Sequence, residues 1–505
     1  MERRPLDRVR GTQDLWPADA RQLEIVRRQL ETCFEAFGYR RVDVPVLEPA
    51  ELHLRKSGLE IISKLYAFED QGGRRLCLRP ELTASVVRAL VAQPPPRLPV
   101  KVFSSGPVFR YERPSRGRFR QFTHADVELF GAPGPLADAE IVLLAMDALD
   151  RLGLTDYRVT IGHVGILAEL LSKLGLTGRL RTSLMESLEQ ARRYGLDAVR
   201  LHLRELDPDL FDTPGQPASP PPAGADGGAA AVYALVPDDP AGDDQVRAAV
   251  AGLLAQIGAE SLGRRTAADV VERMLRKLRP GSHHQAVQRA LEFIGRLGGV
   301  RGDAESVFRA GRALLASYGL DDEPLRGLEQ TIALLADSGA DVRRVQLDLG
   351  LSRGLQYYTG MVFEIDHDGL GSESQLCGGG RYDDLFRALG TRQSLAALGF
   401  AFGVERVKLA LEAEGKLSEL PPVAGVFVVA AAPEHRGYAA RVAQEVRRAG
   451  GRADLDVTGR SLRAGLAHAG REGYPLVAVV GEVEARQGVV RVREMSDGAE
   501  RVLPL

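Results

Sequence analysis

Asparagine is absent from the 505 residues, and only seven lysines stand among the 66 basic side chains, so arginine carries nearly all of the positive charge. Both biases fit a GC-rich genome; thermal selection explains them less well, because hyperthermophile composition usually favours lysine. Cysteine is scarce too. Cys33, Cys77 and Cys377 are far apart and odd in number, which excludes a disulfide framework and a cysteine-built zinc site. No apolar run reaches the ~18–20 residues that span a bilayer, so no membrane partner is expected. The opening MERRPLDRVRG has no apolar stretch behind its arginines, so a secretory signal is not expected and the cytoplasm is the expected compartment. Neither the GxxxxGKS/T phosphate loop nor HExxH occurs, which argues against a P-loop nucleotide site and a zinc-protease helix. A net charge of -2 excludes a protein whose whole surface grips nucleic acid, but leaves room for a local basic patch.

What is present reads as globular: 44% apolar and 27% charged residues, in a chain long enough for two or three domains. Apolar spacing predicts a helix over 17–37, with Pro17 near its start and Leu23, Val26, Leu30, Cys33, Phe34 and Phe37 on one face. Trp16 is expected to pack at its beginning. A strand over 41–47 is interrupted by Pro45, which implies an edge or interface position. Residues 100–131 pattern as a long antiparallel hairpin turning at PSRG (114–117). A helix near 138–152 and a strand near 157–161 follow. The stretch 165–335 is mostly helical in pattern and contains a Pro/Ala/Gly tract, 213–231, that cannot bury a core and is expected to be flexible. Strand character returns at 345–350 and 356–365, followed by GGGRYDD (378–384) and LGFAFGVERVKLAL (398–411). After a linker at 413–422, residues 423–505 alternate strand and helix as a small mixed-sheet domain.

The hairpin carries the chemistry. Side chains alternate along a strand, so Arg118, Arg120, Phe122, His124, Asp126 and Glu128 fall on one face, and Arg110 and Glu112 share a face on the other strand. A solvated sheet face would also be polar. The density of arginines and acids instead suits a site for a polyphosphate beside a cationic or zwitterionic small molecule, since the guanidinium fork fits phosphate oxygens and carboxylates fit an amino group. Glu81, at the junction of a strand and a helix, and Arg353, Tyr357 and Tyr358 in SRGLQYYTG can complete such a site. Each also has a plain structural role open to it, Glu81 as a first-turn acid and the tyrosines as half-buried strand residues. His283–His284 in a predicted loop lack further ligands, and no metal site is expected.

Taken in order, these segments resemble the class II aminoacyl-tRNA synthetase motifs, and the histidyl-tRNA synthetase family in particular. The first helix with the Pro45 strand resembles motif 1, FRYERPSRGRFRQFTHADVELFG (109–131) motif 2 and GFAFGVERV (399–407) motif 3. SRGLQYYTG and GGGRYD resemble the two segments that distinguish the histidyl subgroup, and 423–505 is similar to its anticodon-binding domain. The resemblance implies an α/β (α+β) fold: an antiparallel sheet flanked by helices in a core of 1–164 and 336–412, a helical insertion at 165–335, and a C-terminal α/β domain at 423–505.

It implies an aminoacyl-tRNA ligase that joins histidine to ATP, accompanied by Mg2+, as histidyl-adenylate, and passes it to the 3′ end of tRNA(His), in a homodimer. Arg110 would then bind the α-phosphate, Arg406 the γ-phosphate, and Glu112 the adenine. Arg353 would neutralise charge developing at the α-phosphate. Glu81 would hold the α-amino group, with His124, Glu128, Tyr357 and Tyr358 lining the imidazole pocket. Arg113, Arg116 and Arg118 would approach the tRNA acceptor end. Three positions depart from the family pattern: His124 stands for its glutamine, Gln356 for its aspartate, and Leu82 for a glycine common in bacterial members. All three bear on the amino-acid pocket. The same scaffold serves the regulatory subunit of ATP phosphoribosyltransferase, which binds histidine without charging tRNA, and IGHVGILAELL (161–171) resembles that relative; under that alternative the partner is the phosphoribosyltransferase catalytic subunit.

Overall fold

The computed structural model describes residues 6–57, 63–93, 97–206, 208–211, 280–352, 357–392, 394–417 and 425–505. The Pro/Ala/Gly tract, Arg353 and Gln356 lie outside them. The chain divides into two compact units, Met1–Leu417 and Ser418–Leu505.

In the first unit the helices are α1 (Pro17–Ala36), α2 (Ala50–Ser57), α3 (Thr83–Val91), α4 (Pro135–Arg151), α5 (Gly165–Lys173), α6 (Gly178–Tyr194), α7 (Leu196–Leu206), α8 (Pro280–Leu297), α9 (Ala304–Tyr318), α10 (Glu323–Asp337), α11 (Leu385–Ala388) and α12 (Val404–Ala413). The strands are β1 (Arg40–Arg41), β2 (Leu47–Pro49), β3 (Tyr66–Glu69), β4 (Arg75–Leu78), β5 (Val100–Phe109), β6 (Gln121–Phe130), β7 (Arg158–His163), β8 (Arg301–Gly302), β9 (Val345–Asp348), β10 (Met361–Asp366), β11 (Gln375–Arg381) and β12 (Ala397–Gly403). Nine of them form one sheet in the order β1-β5-β6-β12-β11-β10-β7-β9-β8, and β2-β4-β3 form a small second sheet. From β5 to β7 every neighbouring pair in the large sheet is antiparallel.

Alternation decides which face does what. On β12, LGFAFG places Phe400 and Phe402 on one side, where Phe34 of α1 meets their rings at centroid distances of 5.9 and 6.5 Å. The buried stripe of α1, Leu23, Val26, Leu30, Cys33 and Phe34, is the apolar face read from its spacing. The other side of β12 carries almost no side-chain bulk. In register, Gly399 lies opposite Glu128, Ala401 opposite Asp126, and Gly403 opposite His124; Gly378 and Gly380 of β11 in turn lie opposite Ala401 and Gly399. Directly opposed residues of an antiparallel pair share a face, so small residues clear the floor on which the three polar groups of β6 stand.

Three expectations change. The 41–47 strand is broken: β1 pairs with β5 while β2 joins the small sheet. At the break, the buried Arg79 guanidinium donates to the Val44 carbonyl at 2.5 Å and the Pro107 carbonyl at 2.9 Å, so Pro45 sits where the chain leaves one sheet for the other. Trp16 is 76% exposed and packs on little. The insertion also ends earlier than its helical pattern suggests, because β8 adds an edge strand to the large sheet and α10 lies against α4.

The second unit is a mixed sheet, β14-β13-β15-β16-β17, where β13 (Val426–Ala430) pairs in parallel with β14 (Ala453–Leu455) and β15 (Leu476–Val480), and β16 (Val489–Glu494) and β17 (Glu500–Pro504) continue antiparallel. Its core gathers Val428, Val442, Ala443 and Val480 around α13 (Arg436–Arg448). No described helix is long and apolar enough to cross a membrane.

The floor argument gives a direct test. A Cβ on Gly399 would stand 2.2 Å from the Val127 carbonyl and 2.3 Å from Glu128 Oε2, whereas one on Gly437 of α13 would meet nothing within 4 Å. Gly399→Ala is therefore expected to lower stability in urea denaturation by about 1–3 kcal/mol, while Gly437→Ala raises it by about 0.4–1 kcal/mol.

Candidate functional site

A cavity of about 920 Å³ opens on the cleared face of the large sheet. That volume suits a nucleotide-sized ligand with a small companion. Its walls come from α2, the β4–α3 junction, the β5–β6 hairpin, β10, β11, β12 and the start of α12, with Glu189 and Arg192 reaching in from α6.

One end is anionic. His124, Asp126 and Glu128 follow one another along β6, and all three are buried. This excludes the solvated-face alternative for the strand. Nδ1 of His124 stands 3.2 Å from Oδ1 of Asp126. Among the described residues, neither carboxylate of Asp126 or Glu128 meets a donor at hydrogen-bonding geometry. Burial first, then the Asp126 charge, pushes the Glu128 carboxyl well above its ordinary range, against Lys56 and the Thr83 hydroxyl. Buried acids without hydrogen-bond partners cost folding energy and are characteristic of ligand sites. Tyr357 and Tyr358 complete this end, hydroxyl to hydroxyl at 3.2 Å, with Tyr382 beside them.

Glu81 borders the same space. Arg79, two residues earlier, is stapled to the main chain at 44–45 and 107, which fixes where Glu81 projects. Its Oε1 accepts from the Ala84 amide at 3.1 Å at the start of α3, and its Oε2 accepts from Lys56 Nζ at 2.5 Å. His53 lies 3.5 Å away. Burial alone would raise the Glu81 carboxyl, but Lys56 and then His53 hold it far below the ordinary carboxylate range. Glu81 is thus both a helix-start acid and a member of a buried ion pair.

The other end is cationic and prearranged. Arg110 donates from Nε to the Pro80 carbonyl at 2.9 Å and lies over the Phe122 ring. Arg118 pairs with Glu112 at 2.5 Å, and Arg406 pairs with Glu373 at 2.7 Å while also donating to the carbonyls of Gly117 and Gln375, both at 2.9 Å. Arg118 and Glu373, 3.6 Å apart, link the two pairs. Burial first holds the Glu112 carboxyl up, but Arg118 and Arg110 bring it below its ordinary range. Behind this cluster both oxygens of Glu405 accept the Thr123 amide at 2.9 Å, tying α12 to the hairpin.

The structure therefore brings together Glu81, Arg110, Glu112, Arg118, His124, Tyr357, Tyr358 and Arg406 around one cavity, with Glu128 buried against its floor. Arg113 and Arg116 are exposed at the hairpin tip, and Arg118, read with them in the sequence, faces inward to Glu112. His284 touches the Leu210 carbonyl at 3.1 Å, and no group of three His, Cys, Asp or Glu that could hold a metal occurs among the described residues. Sequence reasoning missed Lys56, His53, Glu373, Tyr382 and the pair from α6. The i, i+3 spacing of His53 and Lys56 was the one available signal, since it puts both on one face of α2.

The family model described as histidyl-tRNA synthetase matches residues 11–212 and 248–407, and the anticodon binding domain model matches 425–505. The histidine–tRNA ligase of Pyrococcus abyssi is 30% identical over 99% of this chain and 97% of its own length. That of Geobacillus kaustophilus is 31% identical over 98% and 95%. Among solved structures, the histidyl-tRNA synthetase of Nostoc aligns over 99% of this chain and 97% of its own, with a TM-score of 0.65 at 18% identity, which speaks to the fold.

The unpartnered acid makes a pH prediction. A carboxyl whose folded pKa is raised binds a proton more readily in the folded state, so stability falls as pH rises from the unfolded value, ~4.3, through the folded one. Glu128→Gln removes that loss. Urea midpoints are expected to show little advantage for the variant below about pH 4 and a growing one as pH rises, while affinity for the amino acid falls.

Proposed function

The chain belongs to the histidyl-tRNA synthetase family, and we propose that it activates histidine with ATP and transfers it from histidyl-adenylate to the 3′ end of tRNA(His). The observation that carries the reading is the split polarity of the cavity: buried unpartnered carboxylates at one end, paired arginines at the other. A substrate that is cationic at its amino and imidazole groups fits the first end, and a polyphosphate the second.

Chemistry at the α-phosphate needs an anionic carboxylate brought in line against an anionic phosphate. Positioning and charge neutralisation supply most of the acceleration in such steps. Arg110 is held by Pro80 so that its free donors face the cavity beside Glu81, which suits the α-phosphate. Arg406 has three of the five guanidinium N–H groups engaged, on Gly117, Gln375 and Glu373, which leaves capacity for a terminal phosphate. Phosphate can also displace Glu112 and Glu373 from their arginines without leaving either cation unpaired. Mg2+ enters as the counter-ion of ATP and so as part of the substrate. Arg353 takes the charge that develops at the α-phosphate. Asp126, Glu128, Tyr357 and Tyr358 receive the imidazole end, and Arg113 and Arg116 at the exposed tip meet the tRNA acceptor end. The unit 423–505 reads the anticodon. The enzyme is cytoplasmic and homodimeric in this reading, and its paired arginines and anticodon-binding domain favour charging over the regulatory role.

Histidine-dependent ATP–pyrophosphate exchange, run beside the other amino acids, tests the proposal. Exchange with histidine alone is expected; histidine binding without exchange would overturn it in favour of the regulatory role. Arg353→Ala is expected to lower exchange by about 10²–10³-fold with unchanged circular dichroism, and near-normal activity would refute its assignment. A chain ending at Leu417 is expected to keep exchange and lose tRNA charging.

A further inference from the structure

Lys56 is one of only seven lysines in the chain, and its side chain is 1% exposed. A buried ammonium needs compensation. It receives two kinds: the Glu81 carboxylate at 2.5 Å and the face of the Tyr357 ring, whose centroid lies 4.0 Å from Nζ. An ammonium has three donors. One is spent on Glu81 and one side of the group is covered by the ring, and Lys56 nonetheless lines the cavity. Among the described residues no second acceptor meets it at hydrogen-bonding geometry.

The position is informative. Lys56 is anchored on Glu81, and Arg110 is anchored on the carbonyl of Pro80, the adjacent residue. Two cations are thereby fixed on consecutive residues of one rigid turn, which Arg79 holds from behind. The amino acid brings three charged or polar ends to this region. Its cationic groups have Asp126, Glu128 and Glu81 to choose from. Its carboxylate, the nucleophile, has no anion-binding partner among the acids, and Arg110 suits the phosphate that it must attack.

We propose that Lys56 binds the α-carboxylate of the amino-acid substrate and holds it beside the α-phosphate contact of Arg110. This rests on the histidine-activation reading. Glu81 and Tyr357 position the ammonium, and its remaining donor points the carboxylate toward the reacting phosphorus. Arginine could not replace it without loss, because a planar fork lacks the compact charge that fits between a carboxylate and a ring face.

The test compares histidine with histidinol, which keeps the ammonium and imidazole groups and lacks the carboxylate. Calorimetric dissociation constants for both would be measured on the full-length wild type and on Lys56→Met. The wild type is expected to prefer histidine, and the variant to lose that preference by about tenfold or more, the value of one charge-assisted hydrogen bond. In pyrophosphate exchange the KM for histidine should rise with the KM for ATP unchanged. If histidine and histidinol shift together, so that their ratio is preserved, Lys56 acts only through Glu81 and the proposal is overturned. Should Lys56→Met not fold because Glu81 is left unpaired, the double variant Lys56→Met/Glu81→Gln removes both charges and is read by the same ratio. A wild type inactive in exchange overturns the histidine reading itself, whereas an active wild type with an unaltered ratio in the variant overturns the Lys56 assignment alone.

Discussion

Two carboxylates stand on a central strand of a nine-stranded sheet with no hydrogen-bond donor at either among the described residues. That arrangement is unfavourable for folding: a buried acid without a partner is costly, and two neighbours repel. Much of the first unit can be understood as what makes it tolerable. The glycine–alanine row on β12 and β11 removes side chains that would crowd Glu128 and Asp126, and the aromatic packing of Phe34, Phe400 and Phe402 on the opposite face secures the same strands by burial. A strand so rich in glycine would be weak alone; its position between partners on both sides, and the ring cluster beneath it, supply the order it lacks.

The cationic half follows a different rule. Its arginines are already paired, Arg118 with Glu112 and Arg406 with Glu373. Such pairs keep the guanidinium groups oriented in a partly solvated cleft, and they exchange one oxyanion for another when phosphate arrives. Asp126 and Glu128 at one end lack hydrogen-bond donors and so favour positive charge, while the arginines at the other end already hold carboxylates that another anion can replace. Polarity and pairing together orient a bifunctional substrate pair before any specific contact forms.

Much of this was legible in the sequence, for identifiable reasons. The period-two rhythm of QFTHADVELF and LGFAFG gave the two strands and the shared face of His124, Asp126 and Glu128, because alternation along a strand is local. The stripe of α1 was equally plain. What could not be read was anything decided by contacts between distant segments. Lys56 meets Glu81 across 25 positions, and Arg406 meets Glu373 across 33. Whether a polar strand face is solvated or buried likewise depends on what packs over it. The 41–47 strand failed for a related reason: Pro45 marked an interruption, but only the Arg79 side chain, from another element, shows that the chain changes sheets there. The helical pattern over 165–335 was present, yet periodicity does not say which helices rest on the core sheet, and α10 does.

His124 shows how the site absorbs a departure from its family's pattern. A glutamine at this place offers a carbonyl acceptor and an amide donor. The imidazole sets Nδ1 3.2 Å from Oδ1 of Asp126, a close polar contact without hydrogen-bonding geometry. An imidazole, like an amide, can donate from one ring nitrogen and accept at the other. The edge contact with Phe122, at a centroid distance of 5.2 Å, fixes the ring plane. The substitution therefore keeps an amide's capacity to donate and to accept, on a ring whose plane is set by Phe122 and which stands beside Asp126 on the same strand face.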